Sequence, residues 1–312
     1  MVFLSICIPT YQRIEITRNT IASIYADMKD VDISEFEVIV SDNDISESSR
    51  CFVDEFPFEN FHYYQTRCEG FLNSFHVLGY GKGLFLKLHN NYTMLKAGTL
   101  KYMIEEIKRY YESKAPLFFT NGLRQFYEKR EYTTFNDYMS DLSYFSSWSS
   151  GFGIWKEDYD HIKSGIVINK WFPQTSLFLP FNKKNIYVLN DIEIFNDQKV
   201  PKKGGYNPYY VFGVEFLTLI KVSYNKEQIS FRCFERIKRD LLKDYLASRY
   251  FKTVIAKMDN FEHNNIREYL LSYYGKFAYY KLFFYSLLTP FKYYIRKSRS
   301  FFIEHYYKKK QS

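Results

Sequence analysis

The opening of the chain limits its fold more than any other feature. An apolar β-type run at residues 3–8 stops at Pro9, and residues 15–28 then place Ile16, Ile21, Ile24 and Tyr25 near one helical face. A second apolar run at residues 36–40 follows, ending in the polar turn Ser41-Asp42-Asn43-Asp44. Strand, helix, strand at this spacing is the start of a parallel sheet, so an α/β fold is expected.

The next segments continue the alternation. Residues 71–78 read as a helix, Gly79-Tyr80-Gly81-Lys82-Gly83 as a break, residues 84–88 as a third strand and residues 100–111 as a helix. Further short strands are expected at residues 116–120, 151–155 and 185–189, with an aromatic, Ser-rich loop at 141–150. The stretch "KLHNNYTMLKAGTL" therefore leaves the carboxyl end of a strand, the edge of an open α/β sheet where ligands bind. From about residue 231 the texture becomes helical throughout, with apolar and charged residues alternating at helical spacing. A boundary is placed near 225, giving a domain at 1–225 and a helical, basic-aromatic region at 226–312.

Composition narrows the class. The chain has 312 residues, 46% of them hydrophobic, enough to bury a sizeable core. Its four cysteines form no CxxC pair and have no His at metal spacing, which argues against a zinc site or a disulfide framework and fits a reducing compartment. The N-terminal apolar stretch is too short to span a membrane and has no basic start or small-residue cleavage site, so a cytoplasmic protein is expected. The net charge of +8 is concentrated: residues 276–312 hold nine Lys and Arg against Glu304, which leaves the first 275 residues neutral. From Phe277 onward aromatics alternate with cations, interrupted by Lys281 and Pro290, the pattern of an interfacial helix on an anionic membrane rather than of a span. A basic helix packed on the domain is the alternative. Nucleic acid is not the expected partner.

Three segments carry a resemblance. "LSICIPTYQR", then "FEVIVSDNDISESS", then "NSFHVLGYGKGLFLKLHNNYTMLKAGTL" resemble, in order and spacing, the nucleotide-sugar domain of family 2 glycosyltransferases with the GT-A fold. The likeness covers residues 3–112 well and 113–220 loosely, and is nearest to the bacterial branch that builds O-antigen, capsule or other surface polysaccharides. It implies transfer of a sugar from a nucleotide-sugar donor to a saccharide acceptor, expected to be lipid-linked, by an inverting enzyme peripheral to the inner face of the cell membrane. In the family the first turn holds base and ribose, which implies donor-binding roles for Pro9, Thr10, Tyr11 and Arg13, although Gln12 replaces the usual Asn. Asp42 matches the acid that receives a hydrogen bond from base or ribose; an ordinary Asx turn is its alternative. Asn73 belongs to the same donor side.

The resemblance also exposes a departure. The family ends its third strand in an Asp-rich triplet that holds ribose and a Mg²⁺ or Mn²⁺ ion, whereas alignment through Leu88 and Gly98 puts Asn90, Asn91 and Tyr92 there. Asn can bind a ribose hydroxyl but is a poor ligand for a hard divalent cation. No metal ligand is assigned, a divalent metal is disfavoured, and Arg13, Lys87 or Lys96 would have to stabilise the leaving diphosphate. His89 beside them reads as structural. The family's catalytic base opens a helix whose counterpart here is Pro173-Gln174-Thr175, without an acid. Asp158 is the first candidate base and Asp191 the second, with Glu157 and Glu193 in reach along the sequence. Trp148, Trp155 and Trp171 could stack on sugars or serve the core. The rival reading is a catalytically silent GT-A domain that binds a sugar nucleotide or glycan within an assembly complex.

Overall fold

The structure is a computed structural model describing residues 1–201 and 204–291. The expectation of a membrane-binding tail falls in part on Lys292, Arg296, Lys297, Arg299 and Lys308 to Lys310, which lie outside the described residues. The chain divides into two compact units, one of Met1–Pro201 and Leu219–Phe234 and one of Lys202–Thr218 and Glu235–Ser312.

The first unit is built on a five-stranded sheet of order β3-β2-β1-β4-β8. Its strands are β1 (Leu4–Thr10), β2 (Phe36–Asp42), β3 (Phe61–Gln65), β4 (Phe85–Leu88) and β8 (Gly153–Trp155). The first four run parallel and β8 is antiparallel to β4. Two smaller sheets complete it. β5 (Thr93–Leu95) pairs with β10 (Phe195–Asp197), and β6 (Leu117–Phe119) and β7 (Lys129–Tyr132) flank β9 (Tyr187–Asn190). Its α-helices before residue 201 are α1 (Ile14–Ala26), the single turn α2 (Phe52–Glu55), α3 (Asn73–Tyr80), α4 (Thr99–Arg109), α5 (Phe135–Leu142), α6 (Lys156–Ile162) and α7 (Pro173–Phe178).

Every position of β2 is buried and so are all but one of β1, which is why both read as unbroken apolar runs. Leu4, Ile6 and Ile8 on one face join Ile21 and Ile24 of α1 and Leu100, Met103 and Ile107 of α4 in a single core. α3 packs against β1 and β2. The loop into β4 touches β1 so closely that a Cβ on Gly83 would lie 2.8 Å from the Ser5 amide nitrogen. That approach lets Gly83 N donate to Ser5 Oγ (2.8 Å) and to the buried Glu37 (3.1 Å), which also accepts from Ser5 Oγ (2.6 Å) and Lys82 N (2.6 Å).

Within the second unit, α-helical and π-helical turns alternate: Val211–Phe216, Leu241–Leu246 and Phe251–Ile255 are π-helical. Ala278–Leu287 is α-helical and packs on Leu241–Leu246, Ala247–Tyr250 and Ile266–Leu271. Among the described residues, no helix is long and apolar enough to cross a membrane.

Candidate functional site

Three chain segments meet at the carboxyl edge of the sheet: the turn after β1, the turn after β2 and the turn after β4. The last of these is Asn90-Asn91-Tyr92, closed by Thr93 N donating to Asn90 O (3.1 Å).

Asn91 is the centre of the first contact set. It is buried; its Nδ2 donates to Thr10 Oγ1 (3.0 Å) and its Oδ1 accepts from Arg13 Nη1 (3.5 Å). Its carbonyl accepts from Thr20 Oγ1 (2.9 Å), and Thr10 Oγ1 lies 3.1 Å from Thr17 Oγ1. The polar residues of α1 at Thr17 and Thr20 therefore face the site, a role that their place on an otherwise apolar helix face does not announce. Arg13, at the N-cap of α1, is exposed, as is Tyr11, so a cation and a ring border this turn. Gln12 between them has φ of 50°, a left-handed conformation that Gln tolerates less readily than the Asn usual in the resembling family. Its Nε2 reaches Asp44 Oδ1 at 3.4 Å.

Asn90 is held from the opposite side. Its amide nitrogen donates to Ser150 Oγ (2.9 Å), its Oδ1 accepts from Ser149 Oγ (2.6 Å) and its Nδ2 donates to the Tyr92 hydroxyl (2.9 Å). Thr93 Oγ1 then donates to Asp197 Oδ1 (2.7 Å), bringing an exposed carboxylate of β10 beside the triplet. Sequence reading missed Asp197, since only the antiparallel pairing of Thr93 with Asp197 puts it there.

Asp42 is fully buried, with Oδ1 accepting from Asp44 N (2.9 Å) and Oδ2 from Ser49 N (2.9 Å) and the Tyr63 hydroxyl (3.3 Å). Those donors make it the organiser of the loop after β2. Asp44 in that loop is held at about 2 by hydrogen bonds, chiefly from Ser46. Asn73 is buried at the first turn of α3, where its Nδ2 donates to Ser41 O (2.8 Å) and its Oδ1 accepts from Ser41 Oγ (2.5 Å). It ties α3 to the end of β2. Pro9 does not end β1 as the sequence suggests: it pairs with Ser41 inside the strand, which runs on to Thr10.

Lys87 and His89, two residues apart, are buried and spend their donors on backbone carbonyls. Lys87 is buried, donating to Leu88 O (2.7 Å) and Ser150 O and lying 5.6 and 5.4 Å over the Phe119 and Phe195 rings. Burial lowers its pKa to about 7. His89 Nε2 donates to Thr93 O (2.7 Å), and burial followed by the neighbouring Lys87 lowers its pKa to about 3, so the ring is neutral. Lys96 pairs with Glu193 at 2.9 Å. Of the three cations considered for a leaving diphosphate, Arg13 alone contacts the triplet in the described contacts.

The residues considered as base are engaged elsewhere. Both oxygens of Asp158 accept from Lys184 Nζ (2.9 and 2.8 Å). Asp191 is fully buried and accepts from Thr120 Oγ1 (2.6 Å), Arg124 N (3.1 Å), Phe126 N (2.7 Å) and Tyr127 N (3.2 Å). Four donors leave it no lone pair facing an acceptor sugar; it shapes the loop at residues 120–127 instead. The helix α7 opens with Pro173, Gln174 and Thr175, all buried, and Gln174 Nε2 and Thr175 Oγ1 donate to Ser147 O (2.6 Å) and Ser146 O (3.0 Å). Trp155 is buried with Nε1 on Ala115 O (2.8 Å), while Trp171 is half-buried beside Phe71, ring centroids 5.7 Å apart.

A divalent metal does not fit the triplet's donor set. Asn91 gives its oxygen to a guanidinium and its nitrogen to Thr10, Asn90 gives its oxygen to Ser149, and no carboxylate belongs to the turn.

The architecture has counterparts among solved structures. The S. aureus TarS 1-349 complex with UDP-GlcNAc matches with a TM-score of 0.56 at 16% identity, over 82% of this chain and 76% of that one. TarS 1-349 with UDP gives 0.55 at 17% identity, over 82% and 75%. A longer S. aureus TarS chain gives 0.54 at 17% identity over 82% of this chain, which spans only 45% of that one. No protein-family model matches the sequence, and no curated protein matches it either. The chain has the GT-A fold of glycosyltransferases: a parallel-sheet α/β unit, here with a helical C-terminal part.

Proposed function

We propose that the protein is a family 2 type glycosyltransferase that moves a sugar from a nucleotide-sugar donor to a saccharide acceptor in surface-polysaccharide synthesis, with Arg13 in place of a metal at the leaving diphosphate. The observation that carries the proposal is the Thr10–Asn91–Arg13 contact set at the carboxyl edge of a GT-A sheet. A donor lies with its base against Tyr11 and its diphosphate toward Arg13. As the acceptor hydroxyl attacks the anomeric carbon with inversion, its proton passes to a carboxylate, for which Asp197 beside Thr93 is the candidate, and the bond to the diphosphate breaks with its electron pair leaving on the nucleotide. A guanidinium aimed at those oxygens stabilises the charge that develops there. The fixed charge is supplied by the chain, so the reading expects donor binding without a divalent cation. A lipid-linked saccharide on the inner face of the cell membrane is the acceptor this reading favours.

Three observations favour a binding role without turnover: Asp158 is paired with Lys184, Asp191 is saturated and α7 opens without an acid. Asp197, hydrogen-bonded to Thr93 directly after the triplet, is the carboxylate through which turnover would be tested.

Calorimetry with UDP and UDP-GlcNAc in EDTA, repeated with Mn²⁺, tests the reading; a wider panel of nucleotide sugars follows, because TarS holds a uridine donor. Binding in EDTA is expected, weakened by Arg13→Ala. Failure of the whole panel to bind would end the donor-site reading, and strict Mn²⁺ dependence would end the role given to Arg13. Binding with no nucleotide release in the presence of saccharide acceptors would favour the silent domain.

A further inference from the structure

The helix Ala278–Leu287 has two faces of opposite character. Ala278, Leu282 and Ser286, spaced by four, are buried against its own unit. On the other side Phe277, Tyr280, Phe284, Leu287 and Phe291 are exposed, Phe284 at 60% and Phe291 at 67%. Their spacing of three, four, three and four residues keeps all five on one stripe. The buried side already supplies the packing that holds the helix, so the exposed rings are not explained by the fold of this unit. A stripe of this kind in contact with water is unfavourable, which points to an occupant.

We propose that this stripe docks on an anionic lipid surface. Charge complementarity selects lipid over a protein partner. Lys276 and Lys281 flank the rings, and the sequence beyond them adds Lys292, Arg296, Lys297, Arg299 and Lys308 to Lys310 against the single acid Glu304. Rings at headgroup depth combined with cations on lipid phosphate give a reversible attachment that neither term gives alone. Tyr280 and the Lys stems have the apolar body and polar tip suited to that boundary. The helix is ten residues long and cannot span a bilayer, so it would lie in the plane of the surface.

The surface is independent of the sugar-transfer reading, because its test contains no nucleotide or saccharide. The full chain is sedimented with phosphatidylcholine vesicles, with and without phosphatidylglycerol. The wild-type protein should pellet with the anionic vesicles, and Tyr280→Gln/Phe284→Gln/Leu287→Gln should lower the bound fraction by about tenfold with an unchanged thermal unfolding profile. Pelleting equal to wild type would show attachment by charge alone and overturn the stripe's role. A dimer seen without vesicles and abolished by the triple variant would identify a second copy as the occupant and overturn it too. Should the triple variant fail to fold, Phe284→Trp with brominated phosphatidylcholine replaces it: added fluorescence quenched by the bromines supports insertion, and unquenched fluorescence in pelleted protein refutes it.

Discussion

Arg13 and Asn91 exchange the logic of an acid-and-metal site for that of a fixed cation. An amide can accept from a guanidinium without neutralising it, so the positive charge stays available to a diphosphate. Asn91→Asp would convert this contact to an ion pair and draw the charge inward. It should weaken UDP binding in EDTA by about tenfold, roughly 1.4 kcal/mol, while Arg13→Ala should lower kcat more than it raises KM if the cation acts on the leaving group. Unchanged affinity of Asn91→Asp by calorimetry would detach the pair from donor binding. Lys87 makes a different prediction because it is buried, with its Nζ on the carbonyls of Leu88 and Ser150. The unfolded chain keeps its Lys protons to about pH 10.4, whereas the folded protein releases this one above about pH 7. Between those values the unfolded state holds more protons, so this residue makes stability rise with pH; below pH 7 its destabilising effect is fully present. Lys87→Met should remove that rise between pH 7 and 9.5, measured as the difference in urea midpoint between variant and wild type.

At the scale of elements, the clearest case is the loop at residues 120–127, held by one carboxylate. Asp191→Ala would leave three backbone N–H groups and the Thr120 hydroxyl without their acceptor, in a place closed to water. At about 1–3 kcal/mol for each unsatisfied group, the loss should reach several kcal/mol in denaturant titration, and the kcat of whatever folds should stay near wild type. A folded, stable but inactive variant would return Asp191 to the candidate bases. The sequence offered Asp191 as a base because it is one of the acids within sequence reach of the acid-free Pro173-Gln174-Thr175; its four donors come from a loop 64–71 residues earlier and cannot be read from local pattern. The opposite holds for β1, β2 and β4, whose apolar runs and turns were legible within a few residues: strands expected at 3–8, 36–40 and 84–88 are Leu4–Thr10, Phe36–Asp42 and Phe85–Leu88. β3 escaped because FHYYQ is half-buried along most of its length, as an edge strand is, and carries no apolar run. β5 and β10, three residues each, exist only through pairing with one another. The site divides the same way. The turns were visible, but the contacts of Thr17, Thr20, Ser149, Ser150 and Asp197 depend on distant segments meeting.

For the whole molecule, the shift to helix comes earlier than the composition change near residue 231, since every named element from Pro208 on is helical, and compactness follows a different line again. Residues 219–234 belong with the sheet-bearing unit, so the chain leaves that unit after Pro201 and returns to it. The return is anchored where Ser230 N donates to Asn136 Oδ1 of the α5 helix (2.8 Å); within the returning segment Tyr224 stacks on Phe234 with centroids 5.6 Å apart. Buried Ile220, Ile229 and Cys233 add apolar contact along the same segment. A fragment ending at residue 201 would therefore lack part of the first unit, whereas one ending at 234 would contain all of it. The 1–234 fragment should unfold in a single urea transition with a larger m-value than 1–201, because m tracks the surface buried on folding. It should also retain nucleotide binding, since Thr10, Arg13, Asn90 and Asn91 and the residues that hold them lie before residue 201. Equal m-values and midpoints for the two fragments would show that residues 219–234 add nothing to the unit, and loss of nucleotide binding by a folded 1–234 fragment would place a donor contact in the remaining helical part.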